Sequence, residues 1–174
     1  WGNFDLNWGR PLKSILAVFD GKSLSFKFHH LNCSNTTFVD KDFEDKKKIF
    51  KDFKAYKYFF NKSGIIIDHN KRKEFIEKEI NKILKKKNVV IEFNTKLLDE
   101  VTDLVEQPNI LQCRFDEKFL QIPKEILIIT MQNHQKYFPI FNQKGNITNE
   151  FLVVANNKDT KGLIRLGNER VVEA

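Results

Sequence analysis

Four consecutive apolar residues, Phe151-Leu-Val-Val154, constrain this chain more than any other feature. Successive side chains of an extended strand point to opposite faces, so this run is apolar on both. A strand of that kind belongs in the interior of its sheet. The strand expected over 151–155 has a partner in Phe138–Phe141, and Lys144-Gly145-Asn146 between them supplies turn residues.

Helical periodicity is interleaved with such strands. Ile49, Phe53, Tyr56 and Phe60 predict a helix over about 42–60, closed by Asn61-Lys-Ser-Gly64. Phe75, Ile76, Ile80, Ile83 and Leu84 form a second stripe, with Asp68 or Asn70 as cap and Lys85-Lys-Lys87 at its negative end. Leu97, Leu98, Val101, Leu104 and Val105 form a third, with Asn94 or Thr95 as cap and Pro108 as stop. Pro123 opens a helix over about 124–133.

Near the start, Leu12–Phe19 is an apolar strand that runs into the turn dipeptide Asp20-Gly21. Leu24, Phe26 and Phe28 then alternate with polar residues, as in a hairpin with one buried face, and His29 takes an exposed strand position. Residues 31–39 read as a loop, residues 116–122 as a turn, and Ile65–Ile67, Val89–Phe93 and Ile110–Phe115 as short strands. The sum is an α+β architecture, with an antiparallel or mixed sheet and interleaved helices. One domain over 1–174 is expected, with a candidate sub-boundary near 121–123.

Bulk properties narrow the function classes. With 174 residues, 41% hydrophobic and 17 Phe, the chain has material for a packed core. No run approaches the roughly 18 apolar residues of a membrane span, so no membrane partner is expected. The chain opens without a secretory leader, and Cys33 and Cys113 are too few and too far apart for a disulfide framework, which favours a cytoplasmic setting. A first residue other than Met, and an end inside an apparent helix, suggest a piece of a longer protein. The net charge of +7 is concentrated: residues 41–87 hold 16 basic and 8 acidic residues. Such a block attracts phosphate, although lysines on the wet side of helices also occur without any ligand.

His134-Gln135-Lys136-Tyr137 is the densest polar cluster. Lys offers a point charge for phosphate, Gln and His hydrogen bonds for sugar or base edges, and Tyr a stacking face. The alternative is that Tyr137 and Phe138 pack into the core while the others face water. Gly167-Asn168-Glu169-Arg170 reads as a helix start, with Asn168 as cap and Arg170 free to reach a phosphate, a carboxylate or a neighbouring domain. His29, His30 and Cys33 lack the second paired motif of a zinc site, so no metal is expected. There is no Gly-x-Ser-x-Gly elbow and no phosphate-cradling glycine loop; Asp99, Glu100 and Asp103 read as solvated. No catalytic residue and no cofactor are expected within this chain.

A family resemblance runs along nearly the whole sequence. Its pieces are Trp1-Gly2, Arg10-Pro11, Asp68-His-Asn-Lys-Arg-Lys73, Leu97-Leu-Asp-Glu-Val-Thr-Asp-Leu-Val-Glu-Gln-Pro108, Phe115-Asp116 and Phe119-Leu120. They continue through Ile122-Pro-Lys-Glu-Ile-Leu-Ile128, Met131 and His134-Gln-Lys-Tyr-Phe-Pro139 to Gly167-Asn-Glu-Arg-Val171. In order and spacing they resemble the beta subunit of bacterial glycyl-tRNA synthetase, in its N-terminal half. Where that family has a Gly-His-Arg-Phe element, this chain has Asn35-Thr-Thr-Phe38.

The resemblance implies part of a class II ligase of two alpha and two beta subunits. ATP and Mg are then expected in the alpha subunit, which makes the adenylate, and the beta subunit supports tRNA(Gly) binding and glycine transfer. It implies a fold similar to the B3/B4 domain of the phenylalanyl-tRNA synthetase beta subunit. The partners it implies are the alpha subunit and tRNA(Gly), with Lys71, Arg72, Lys73, His134, Gln135, Lys136, Tyr137 and Arg170 as candidate tRNA contacts. The alternatives are a protein-interaction module joining beta to alpha, or an editing-type hydrolytic domain.

Overall fold

The computed structural model describes Leu12, Ser14–Thr37 and Lys48–Ala174. Trp1-Gly2, Arg10-Pro11, Phe38, Val39 and the expected helical residues 42–47 lie outside these. The chain divides into two compact units, up to Gly64 and from Ile65.

The first unit is built from short strands and one helix. Its strands are β1 (Ile15–Leu16), β2 (Val18–Phe19), β3 (Lys22–Ser23), β4 (Lys27–Phe28), β5 (Leu31–Ser34), β6 (Thr36–Thr37) and β7 (Lys48–Ile49). Asp20 and Gly21, both at positive φ, turn β2 back on β3, as the Asp-Gly dipeptide predicts. The segment expected to be a loop contains β5, which pairs parallel to β1 and antiparallel to β4, and β6, which pairs with β7. Its lack of apolar alternation hid it, because neighbouring strands supply the hydrogen bonds. Leu24, Phe26 and Phe28 are exposed, so the hairpin has no buried face. The Leu24 amide still bonds to Ala17, but the Phe26 carbonyl accepts from Cys33, so the alternating run changes partners midway. His29 sits in the β4–β5 turn at positive φ and not in a strand.

Helix α1 (Phe53–Lys62) is shorter than its periodicity suggested. The Asp52 carboxylate accepts from the Ala55 amide at 2.7 Å and fixes the start, leaving Ile49 in β7. Gly64, at positive φ, follows its end. Phe50 is buried against Tyr56, Phe59 and Phe60 and forms the centre of this unit.

In the second unit, α2 (His69–Lys87) is capped by Asp68 through the Lys71 amide, and α3 (Thr95–Leu104) by Asn94 through the Leu97 amide. The strands β8 (Val90–Ile91), β9 (Asn109–Arg114), β10 (Phe138–Phe141) and β11 (Ile147–Ala155) form an antiparallel sheet in the order β8-β10-β11-β9. The doubly apolar segment is indeed interior. Leu152 with Phe138 and Ile140 packs on Ile76, Ile80, Leu98 and Val101 of α2 and α3. Phe151, Val153 and Cys113 face Leu127, Met131 and Tyr137 on the other side. Both faces of β11 are therefore covered, which is why no polar alternation marks it. Leu104 and Phe75 fall at the wet margins of their stripes.

Ile65–Ile67 forms no strand. The Ile66 amide donates to the Glu106 carbonyl, and the carbonyls of Ile66 and Ile67 accept from Arg72, so these three groups find partners without a sheet. A 3-10 turn at Glu117–Gln121 leads through Pro123 into α4 (Lys124–Ile129). The final helix is α5 (Leu163–Glu173). Among the described residues, no helix is long and apolar enough to cross a membrane.

Candidate functional site

The helix expected over 124–133 continues beyond α4 as a π-helical turn, Thr130–Gln135. That wider winding ends at Lys136, whose backbone is left-handed with φ of 62°. A residue with a Cβ loses roughly 1–2 kcal/mol in that conformation, so other contacts must hold it. The Met131 carbonyl accepts from both the Lys136 and Tyr137 amides, the latter at 2.8 Å. The Lys136 ammonium pairs with Glu100 of α3 at 2.8 Å.

Helix α5 begins earlier than Gly167-Asn168-Glu169-Arg170 suggested. Gly162 turns the chain at positive φ, and the Asp159 carboxylate accepts the amides of Ile164 and Arg165. Desolvation pushes the Asp159 carboxyl up; these amides and the Arg165 charge outweigh it and hold it below the usual carboxylate range. Asn168 is therefore not a cap. From within the helix its side-chain amide donates to Ile164, and its oxygen accepts the Tyr137 hydroxyl at 2.5 Å.

One turn further, Glu169 accepts the Arg114 amide at 3.0 Å and Glu173 the Asp116 amide at 2.9 Å. Residues four apart on a helix advance about 6 Å, close to two residues of a strand. The two carboxylates thus stand in for a missing strand along the outer edge of β9. Sequence reading missed this role, and its only trace was the four-residue spacing of the two glutamates.

Gln135, Lys136, Tyr137 and Asn168 border a groove of about 480 Å³, with Val101, Val153 and Ile164 among its apolar lining. Its polar groups are carboxamides, one ammonium and one phenol, a set suited to hydrogen-bonding a sugar or base edge. Burial pushes the Tyr137 phenol up, with the Cys113 thiol adding to it. Burial, then the Glu169 charge, pushes Cys113 to about 12, so it is a protonated core thiol and not a nucleophile at neutral pH.

The structure therefore joins the 134–137 cluster to the closing motif but divides the candidates by environment. Tyr137 is 5% exposed and stacks on Phe151 at 5.0 Å. Arg72 directs its guanidinium at the carbonyls of Thr102, Ile66 and Ile67, at 2.9, 2.7 and 3.3 Å. Lys73 pairs with Asp99, while His69 meets Asp103 at 3.0 Å. The solvated face of α3 is thus an ion-pairing face. Lys71, His134 and Arg170 are exposed, and neither Lys71 nor Arg170 has an ion pair among the described residues.

With this geometry in hand, known proteins supply the family. A family model described as the glycyl-tRNA synthetase beta subunit matches residues 1–174. The chain belongs to the glycyl-tRNA synthetase beta-subunit family. Among its relatives, the glycine–tRNA ligase beta subunit of Rickettsia akari (strain Hartford) is 36% identical over 175 residues, covering all of this chain and 26% of the relative. That of Rickettsia bellii (strain OSU 85-389) is 37% identical over 175 residues, covering all of this chain and 27% of the relative. The chain thus spans about a quarter of the length of these beta subunits. In the stretch beginning at Asn35, the Asn35 carbonyl accepts from the Phe50 amide and Thr36–Thr37 form β6.

Proposed function

We propose that this chain is an accessory, non-adenylating part of a glycine–tRNA ligase beta subunit. In this reading it supports the binding of tRNA(Gly) in the cytoplasm while ATP and Mg are handled by an alpha subunit. The observation that carries the reading is the family match along the whole of residues 1–174. The candidate contacts are the exposed Lys71, His134 and Arg170, with Gln135 at the rim of the groove. Lys73 and Lys136 join them if phosphate displaces Asp99 and Glu100, an exchange that partly exposed ion pairs permit because each contributes only about 0–1 kcal/mol. Arg72 and Tyr137, held by backbone carbonyls and by Phe151 and Asn168, serve by shaping the surface.

The test uses the complete ligase with alpha and beta subunits. Lys71→Ala combined with Arg170→Ala should weaken tRNA(Gly) binding and lower the dependence of log affinity on log salt by about one unit per residue. Unchanged affinity at two salt concentrations would remove the assignment.

A second reading, a module joining beta to alpha, draws on one observation. Ile126 and Ile129 of α4 expose apolar surface on the same helix. Co-elution with isolated alpha subunit, lost on Ile126→Ser with Ile129→Ser, would favour it.

A further inference from the structure

Helix α1 carries a surface that none of the preceding roles uses. Its sequence is Phe53-Lys-Ala-Tyr-Lys-Tyr-Phe-Phe-Asn-Lys62, with three lysines and no carboxylate. At about 3.6 residues per turn, Lys54, Tyr58 and Asn61 lie on the side away from the buried Phe60, and Lys57 and Phe53 continue that arc towards it, with the Phe53 ring stacked at 6.3 Å on Tyr56. All five are exposed, Phe53 at 67% and Tyr58 at 60%. With most of their surface in water, the two rings contribute little burial to folding. Lys62 lies over the Tyr58 ring at 4.9 Å, which leaves a cation beside an aromatic face.

The partner follows from that chemistry. Lysines without an acid on the helix repel basic partners and attract a polyanion. Exposed rings set among lysines suit unpaired bases, whose flat faces stack while the backbone meets the ammonium groups. Duplex RNA hides those faces and offers mainly phosphate and sugar. Phe53 also lines a cavity of about 390 Å³ with Phe50, Tyr56, Leu16 and Val18, a volume that can admit a base. Asp52 lies at the same cavity, with one carboxylate oxygen occupied by the Ala55 amide.

We propose that the Phe53–Lys54–Lys57–Tyr58 face of α1 binds an unpaired stretch of RNA by ring stacking and lysine–phosphate contact. The proposal rests on the reading of the chain as an RNA-handling part, and deepens it by adding a surface and a preference for single strands. Lys71 and Arg170 play no part in it.

The experiment measures anisotropy of a fluorescein-labelled single-stranded oligouridylate with the full chain, beside a duplex RNA of equal length. The single strand should bind more tightly than the duplex. Phe53→Leu with Tyr58→Leu should weaken single-strand binding by about tenfold or more while sparing the duplex. Lys54→Gln with Lys57→Gln should lower the salt slope by roughly 0.7 per lysine. All four side chains are exposed, so the unfolding midpoint should hold; if the Leu pair fails to fold, the Gln pair decides. Equal affinity of wild type and variants, or equal binding of duplex and single strand, overturns the proposal. Self-association of the chain that is lost in the Leu pair, without oligouridylate binding, also overturns it and makes the face a contact between copies. Because Lys71 and Arg170 are varied separately, failure here leaves their test standing.

Discussion

The Tyr137 hydroxyl donates to the Asn168 side-chain oxygen at 2.5 Å, tying the end of the π-helical turn to the middle of α5. Thirty-one residues apart in sequence, the two polar motifs thereby become neighbours on one groove. Tyr137→Phe should cost about 1 kcal/mol in urea unfolding, since the partly buried Asn168 oxygen loses its donor. In a double-mutant cycle with Asn168→Ala the two effects should fall short of additive, because either change alone removes the same bond. Full additivity would contradict the pairing.

Arg72 offers a sharper separation of structural from RNA-binding roles. A lysine cannot reproduce its fork on the carbonyls of Thr102, Ile66 and Ile67. Arg72→Lys, which keeps the charge, should destabilise the chain by about 1–3 kcal/mol while leaving the salt slope of tRNA binding unchanged. Denaturant unfolding and binding at two salt concentrations read the two effects apart.

Glu150 should confer a pH dependence. Its side chain is 12% exposed and bonds to Lys87, Arg114 and Gln112. Burial pushes its carboxyl up, but the hydrogen bonds and charges of Lys87 and Arg114 prevail and leave it below the usual range. A carboxyl depressed in the folded state contributes stability that is present above the unfolded value of about 4.3 and lost as pH falls through the folded one. The stability gap between wild type and Glu150→Gln should therefore be full near pH 6 and shrink as pH falls below the unfolded value of about 4.3 and on through the folded one. A gap that widens towards acid would contradict the sign.

Hydrogen exchange tests the edge cover. Glu169→Ala with Glu173→Ala should speed exchange at the Arg114 and Asp116 amides, which these carboxylates receive. The Phe115 amide, bonded inward to the Asn149 carbonyl, should change little.

Where one segment carried its own physical signal, the fold was legible from residue order. Phe151–Val154 announced an interior strand because both its faces are buried, and Asp68 and Asn94 announced helix starts through their own side chains. The misread segments depend on distant partners. Strand β5 is defined by β1 and β4, and Ile65–Ile67 by Arg72 and Glu106. Helix α5 starts where Asp159 reaches forward, so Asn168 lost the capping role its position suggested. At the candidate site the residue types were legible and their environments were not. Nothing local in His134-Gln-Lys-Tyr137 distinguishes an exposed histidine from a tyrosine stacked on Phe151.

The central claim is that this region holds RNA, and side-chain footprinting of the assembled ligase tests it most directly. With tRNA(Gly) bound, Lys71 and Arg170 should lose reactivity towards lysine- and arginine-directed reagents, and Lys144, on the β10–β11 turn, should keep its own. Equal labelling of Lys71 and Arg170 with and without tRNA(Gly) would contradict the account.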